Sequence, residues 1–239
     1  MRKGGEALAR VKGTLKKSVK SGVSADEIEK LANELIVKEG GKASFKMVKG
    51  YSWATCVNVN DGLVHGIPKK EIVFKKGDVV SVDVGMYYEG FHTDTSFTVA
   101  IDPPPQIKKF LGAGKDALLA GIGEARPGNR IYDISQAVEK EIVSAGFTPI
   151  RALVGHGVGR ALHEEPSIPC FTFGKRNASP EILPGMVLAI EVMYTHGSPE
   201  IVREDDGWTI SVADGKISAL FEETVAVTLH GPLILTDAK

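Results

Sequence analysis

The residue pattern predicts an α+β fold built as two similar halves around one shared sheet. Three observations predict it. Helical patterns precede strand patterns twice along the chain, a Pro103-Pro104-Pro105 breaker falls between the two rounds, and no low-complexity linker or short repeat interrupts either. In the first round, residues 1–22 carry Leu8, Val11, Leu15 and Val19 at helical spacing, which gives a surface helix with a basic outer face. The same segment holds seven basic residues against the single acid Glu6, the balance of an organellar targeting peptide, but no apolar signal core follows. Ser24-Ala25-Asp26-Glu27 is a capping box opening a second helix with Ile28, Leu31 and Leu35 turned inward, and Gly40-Gly41 ends it. Strand-like runs follow at 53–60, 79–87 and 92–100. In the second round one helix starts near Gln106 and another carries Ile131, Ile134, Val138 and Ile142 before Gly146; strand-like runs then occupy 186–194 and 218–229.

Bulk composition narrows the function by exclusion. The 239 residues are 43% hydrophobic with a net charge of −1, enough to bury a core without disulfide staples. Cys56 and Cys170 form no CxxC pair and have no metal-type spacing, which suits a reducing, cytoplasmic setting. The near-zero charge argues against direct nucleic-acid recognition through a strong positive field. No apolar run approaches the ~20 residues that cross a bilayer.

The strands contain acids where a core is expected. Val79-Val80-Ser81-Val82-Asp83-Val84 is a buried-strand pattern broken by a carboxylate, and Thr93-Asp94-Thr95-Ser96-Phe97-Thr98-Val99 holds another. With Glu89-Gly90 as the hairpin turn, strand parity sends Asp83 and Asp94 to one face as direct or diagonal neighbours, ~5–8 Å apart. Two such charges repel, burial raises their cost, and residues 79–100 contain no Lys or Arg. A divalent cation with oxygen ligands resolves the conflict, and a solvated pair or a distant arginine is the bland alternative. The second half repeats the pattern, with Glu191 inside Met186-Val187-Leu188-Ala189-Ile190-Glu191-Val192-Met193 and the adjacent acids Glu222 and Glu223 entering another strand. Only one of those last two faces inward from a regular strand, and periodicity leaves the choice open.

The most distinctive stretch is Val154-Gly155-His156-Gly157-Val158-Gly159-Arg160-Ala161-Leu162-His163-Glu164-Glu165-Pro166. It is no phosphate loop, because no Gly-Lys-Ser/Thr follows and Arg160 stands where the last glycine of GxGxxG belongs. It is no HExxH zinc helix either, since Ser167 lies four residues beyond His163. A lone histidine is more often structural than a ligand. Two of them among glycines, in a chain with unpaired strand acids, favour a site.

These residues together resemble the methionine aminopeptidases of bacterial type I and, more broadly, the pita-bread metallopeptidases that include prolidase and Xaa-Pro aminopeptidase. The resemblance runs from about residue 5 to residue 236. Its anchors are His65-Gly66-Ile67-Pro68, the Asp83 to Asp94 segment, the glycine-histidine stretch, Ile190-Glu191, Asp206-Gly207-Trp208-Thr209, and Glu222 before Thr224. It implies a pita-bread (creatinase/aminopeptidase) fold over 1–239 as one metallopeptidase catalytic domain, with two pseudo-symmetric halves around a shared antiparallel sheet. It makes Asp83, Asp94, His156, Glu191 and Glu222 the ligands of two divalent metal ions, with Asp94 and Glu222 between them, and so chooses Glu222 over Glu223. One imidazole among four carboxylates is a hard set, closer to Mn, Fe(II) or Co than to a thiolate zinc site, although Zn also belongs to the candidates. The implied reaction is removal of the N-terminal methionine from peptides and nascent proteins. In it Glu191 relays a proton, His163 stabilises the carbonyl oxygen, and His65 contacts the scissile amide region. Tyr51, Cys56 and Trp208 match the family's side-chain pocket. A monomer with a ribosome-associated, co-translational role is implied by the resemblance alone.

The chain also departs from the family pattern. Phe45, Val48 and Leu162 stand where bacterial relatives commonly carry Cys, Tyr and Phe, so that Phe45 narrows the pocket while Leu162 opens it. Glu223 replaces a usual histidine, Leu220 a usual glutamine and Gly85 a usual threonine, each a change beside the metal ligands. The nearest rival is an Xaa-Pro aminopeptidase or prolidase, which shares the ligands but generally carries an extra N-terminal domain. A non-catalytic pita-bread binding module is the other alternative; such modules typically lose ligands that are all present here.

Overall fold

The computed structural model describes residues 1–237. Helix α1 (Arg2–Ser18) buries Leu8, Val11 and Leu15 in the core, as the helical spacing predicts, with Val19 buried just beyond its end. Helix α2 (Ala25–Lys38) opens on the expected capping box: the Ser24 hydroxyl accepts from the Glu27 amide, and the Glu27 carboxylate accepts from Ser24 N–H. Its innermost stripe is Ile28, Ala32 and Ile36, while Leu31 and Leu35 flank it half-buried. The inward stripe is thus turned by about one position from the expected Ile28, Leu31 and Leu35. The chain continues through β1 (Lys42–Ala43), β2 (Thr55–Val59), β3 (Gly62–Val64), β4 (Val79–Tyr88) and β5 (Phe91–Ala100).

Past the proline breaker come α3 (Pro105–Glu124), α4 (Ile131–Ser144), β6 (Thr148–Pro149), β7 (Val154–Gly157), β8 (Glu164–Pro169) and β9 (Val187–Thr195). The chain closes with β10 (Ile201–Arg203), β11 (Ile210–Val212), β12 (Ser218–Thr228) and β13 (Gly231–Ile234). Pro105 occupies the first turn of α3, where its missing N–H costs nothing. Strands β7 and β8 and the short β1, β3, β6, β10, β11 and β13 carry too little alternation to stand out in the sequence.

Ten strands form one sheet whose central path runs β1-β4-β5-β12-β9-β7-β8, every pair antiparallel. In this sheet the halves meet between β5 and β12, so the seam in sequence is also a seam in space. Even-numbered residues of β4 (Val80, Val82, Val84, Met86) pack on α1 and α2; Leu188, Ile190 and Val192 of β9 join the cluster that includes α3 and α4 residues. All four helices thus cover the back of the sheet. The smaller sheet β10-β11-β3 contributes Leu63, Val64, Ile210 and Val212 to the same second-half core. Among the described residues, no helix is long and apolar enough to cross a membrane.

Candidate metal centre

Residues paired directly across antiparallel strands share a face, and the register aligns the acids in two adjacent rows. Tyr88 pairs with Phe91, so Glu89-Gly90 is the two-residue loop, and Asp83 faces Ser96 while Asp94 faces Gly85. Asp83 and Asp94 are therefore diagonal neighbours. Ser96 faces Glu222, and Glu222 faces Glu191. One row across β2, β4, β5, β12 and β9 thus reads Cys56, Asp83, Ser96, Glu222, Glu191. The second row, two residues along, holds Gly85 and Asp94, then Thr224 opposite Ala189, which faces His156 of β7. At the seam Thr224 replaces the ladder: Asp94 N–H donates to its Oγ1 at 2.9 Å, and that hydroxyl donates to Asp94 O at 2.7 Å.

Glu222 lies on this front face. Glu223, one residue on, faces Thr95 on the back, where its carboxylate pairs with Lys12 of α1. Strand parity and the register together settle the choice that periodicity left open.

The glycines around His156 serve close strand packing. A Cβ on Gly155 would stand 2.6 Å from Ala189 O, and one on Gly157 only 2.3 Å from Glu165 O. Either side chain would push β7 off its neighbours and carry His156 away from the acids. His156 Nδ1 bonds Gly157 O at 2.8 Å, which turns Nε2 toward the acids, 3.6 Å from Glu191 Oε1. The His163 ring stands edge-on to it with centroids 4.4 Å apart. His92 N–H donates to Gly159 O at 2.8 Å and so ties the hairpin of the first half to this segment of the second.

Electrostatics single out the cluster. Burial, then mutual repulsion, pushes the carboxyls of Asp83, Glu191 and Glu222 well above the usual range, and burial raises Asp94 to about 7. Burial also lowers His156 to about 4, the neutral form that a metal ligand requires. Among the described residues no Lys or Arg pairs with any of the four acids. Asp83 Oδ1 and Glu222 Oε1 are buried without a hydrogen-bond partner in the protein. Ligand atoms of Asp94, His156 and Glu222 lie within 4.8 Å of one another. Orphaned buried oxygens, an acid-rich donor set and a correctly turned imidazole all fit divalent cations, whose charge removes the repulsion.

One pocket joins this cluster to an apolar wall. Its lining includes Asp83, Asp94, His156, His163, Glu191 and Glu222 on one side and Phe45, Val48, Tyr51, Cys56, Leu162 and Trp208 on the other, with His65 at the rim. Every expected site residue is brought together there. His65 has a left-handed backbone, φ 58°, stabilised by the bonds flanking it: Val57 N–H to Gly66 O at 2.9 Å and Gly66 N–H to Asn58 Oδ1 at 3.0 Å. Trp208 stacks edge-on against Tyr51 at 5.0 Å, and Tyr51 O–H donates to Thr55 O at 2.8 Å.

Several supporting residues escaped the sequence reading. Glu29 of α2 is buried, and its carboxylate accepts from Ala54 N–H, Thr55 N–H and the Thr55 hydroxyl, fixing the wall that carries Tyr51 and Cys56. Asn58 holds the backbone beside His65, and Thr95 and Thr224 hold the side chain and backbone of Asp94. A glutamate on the inward stripe of an amphipathic helix was the available signal for Glu29; polar strand residues gave none for the others.

Comparison with known proteins agrees with this geometry. The model of metallopeptidase family M24 matches residues 1–229. A methionine aminopeptidase of Aquifex aeolicus is 42% identical over 246 residues, spanning 99% of this chain and 95% of the relative. One from Clostridium perfringens is 39% identical over 240 residues, spanning 100% and 95%. The crystal structure of a methionine aminopeptidase from Thermotoga maritima superposes with a TM-score of 0.95 at 40% identity, covering 99% of this chain and 95% of that one. A prolidase from Pyrococcus furiosus shares the fold, with a TM-score of 0.79 at 20% identity, but the match covers 63% of its length.

Proposed function

The chain belongs to metallopeptidase family M24, and from that premise we propose that it is a metal-dependent methionine aminopeptidase, hydrolysing the first peptide bond of chains that begin with methionine. The observation that carries this reading is full-length similarity at about 40% identity to methionine aminopeptidases, joined to a pocket with an acidic wall and an apolar wall. Asp83, Asp94, His156, Glu191 and Glu222 would hold two divalent ions, of which Mn, Fe(II) and Co suit the donors best. Ions held there supply Lewis acidity to the scissile carbonyl and to the attacking water.

The chain's own residues do the rest. The apolar wall of Phe45, Tyr51, Leu162 and Trp208 excludes water from the methionine side chain. His65 contacts the scissile amide. Glu191 takes a proton from the attacking water and returns it to the departing amine as the carbon–nitrogen bond breaks. His163 donates a hydrogen bond to the carbonyl oxygen as charge gathers there. The products are free methionine and a peptide one residue shorter. On this reading nascent-protein N-termini are the physiological substrates, met co-translationally at the ribosome by a cytoplasmic monomer consisting of one catalytic domain.

Release of the first residue from Met-Ala-Ser, Leu-Ala-Ser and Ala-Pro peptides by the Mn- or Co-loaded protein tests the proposal. Turnover of Met-Ala-Ser is expected. Turnover of Ala-Pro alone would replace it with a proline-directed peptidase, and no turnover with any metal would leave a binding module.

A further inference from the structure

Lys12 and Glu223 form an ion pair on the back of the sheet, each side chain less than one-sixth exposed, although 211 residues separate them in sequence. Lys12 belongs to α1 and Glu223 to β12. Around the pair lies a compact polar network between helix and sheet, in a cavity that Lys16, Lys115 and Asp237 also line. Lys12 Nζ donates to Thr95 Oγ1 at 3.1 Å. The Glu223 carboxylate also accepts from the hydroxyl of Thr236, which in turn accepts from Thr224 N–H at 2.9 Å.

Thr95 connects this network to the front of the sheet. Its N–H donates to Asp94 Oδ1 at 3.0 Å, and its hydroxyl donates to the main-chain oxygen of Glu222 at 2.8 Å. One residue therefore holds the Asp94 carboxylate and the Glu222 backbone, and it does so across the seam between the halves. A threonine hydroxyl has a single proton. Glu222 O at 2.8 Å and Glu223 Oε2 at 3.3 Å compete for that proton, and Lys12, which donates both to the hydroxyl and to the Glu223 carboxylate, leaves it to Glu222 O. Thr224, which clamps the Asp94 backbone, is fixed through Thr236 by the same Glu223.

We propose that the Lys12–Glu223 pair is a positioning device for the metal centre: by orienting Thr95 and Thr236, it sets the spacing of Asp94 and Glu222 across the seam. The proposal rests on the reading that those two carboxylates hold metal. A purely structural pair would fasten α1 to the sheet and leave the front face alone. Arg10 offers the contrast, since its side chain fastens α1 to the end of α2 through Glu39 and, among the described residues, hydrogen-bonds to no strand.

The test is Mn(II) binding by titration calorimetry on the metal-stripped protein, with thermal melting alongside. In K12M/E223Q the net charge is unchanged, no buried charge is left alone, and the glutamine keeps an acceptor for Thr236, so the double variant isolates geometry from long-range electrostatics. Its Mn(II) dissociation constant should rise about tenfold, the scale set by outer-sphere partners of metal ligands. K12R, which retains donor and charge, should stay within about threefold of wild type. R10M should lower the melting temperature while leaving Mn(II) affinity unchanged. Wild-type affinity in K12M/E223Q, or equal loss in R10M, would overturn the proposal. Failure of the unaltered protein to bind Mn(II) would instead bring down the metal-centre reading itself.

Discussion

Gly85 and Phe45 make the sharpest prediction, because the space that one lacks is the space that the other fills. A Cβ on Gly85 would lie 2.8 Å from Phe45 Cε1, 2.9 Å from Ser44 Cβ and 3.3 Å from Asp94 Oδ1. Ser44 has little room to yield, since its N–H donates to Gly85 O at 3.0 Å and its Oγ bonds His92 Nδ1 at 2.8 Å. Relief must come from Phe45, whose ring packs edge-on to Tyr51 at 6.5 Å and lines the pocket. Overpacking by one methyl costs ~1–3 kcal/mol, and ~1.4 kcal/mol expressed at the pocket is tenfold in rate. G85A should therefore lower kcat/KM for Met-Ala-Ser about tenfold with a modest loss of melting temperature. F45A/G85A should recover much of the stability, with a coupling of ~1 kcal/mol or more between the two changes. A G85A protein as active and stable as wild type would refute the steric argument, and so would strict additivity in the double variant.

H163A should reduce kcat for Met-Ala-Ser by ~10²-fold or more while leaving Mn(II) content intact, and full activity would remove His163 from the mechanism. E29Q puts an amide among the donors Ala54 N–H and Thr55 N–H, so urea unfolding should show a loss of ~1–3 kcal/mol. Burial opposes ionisation of Asp206, yet hydrogen bonds from Lys69, Thr209 and Trp208 outweigh it and hold the carboxyl below its ordinary range. The stability it adds is complete above the unfolded value of ~3.9 and fades as pH falls below it, so the gap between wild type and D206N in denaturant should be constant above about pH 5 and close below about pH 4. A gap that widened on acidification would contradict this sign.

The hairpin was legible because turn chemistry and strand parity are local: Glu89-Gly90 alone places Asp83 and Asp94 on one face. Glu191 and Glu222 stood out for the same reason, as charges inside apolar runs. What local pattern could not supply was the long-range register, which puts Glu222 opposite both Ser96 and Glu191 and brings His156 alongside through β7. The basic face of α1 was read as solvated, and most of it is; Lys12 instead reaches the sheet, because its partner lies 211 residues away, where no periodicity reports it. Likewise Phe45 and Gly85 each looked like an isolated departure until the fold set them against each other.

Within the large sheet the two halves join through two ladder pairs between β5 and β12, supplemented by threonine hydroxyls, and in the small sheet β3 pairs with β11. Asp83 and Asp94 precede Pro103-Pro104-Pro105, whereas His156, Glu191 and Glu222 follow it. On the proposed ligand set neither half owns all the ligands, so cation uptake would be a read-out of chain closure: occupancy would report that the second half has docked on the first. Energy gained from ions held there would accrue only to the closed form, which would add them to the strand pairs and hydrogen bonds that fasten the joint.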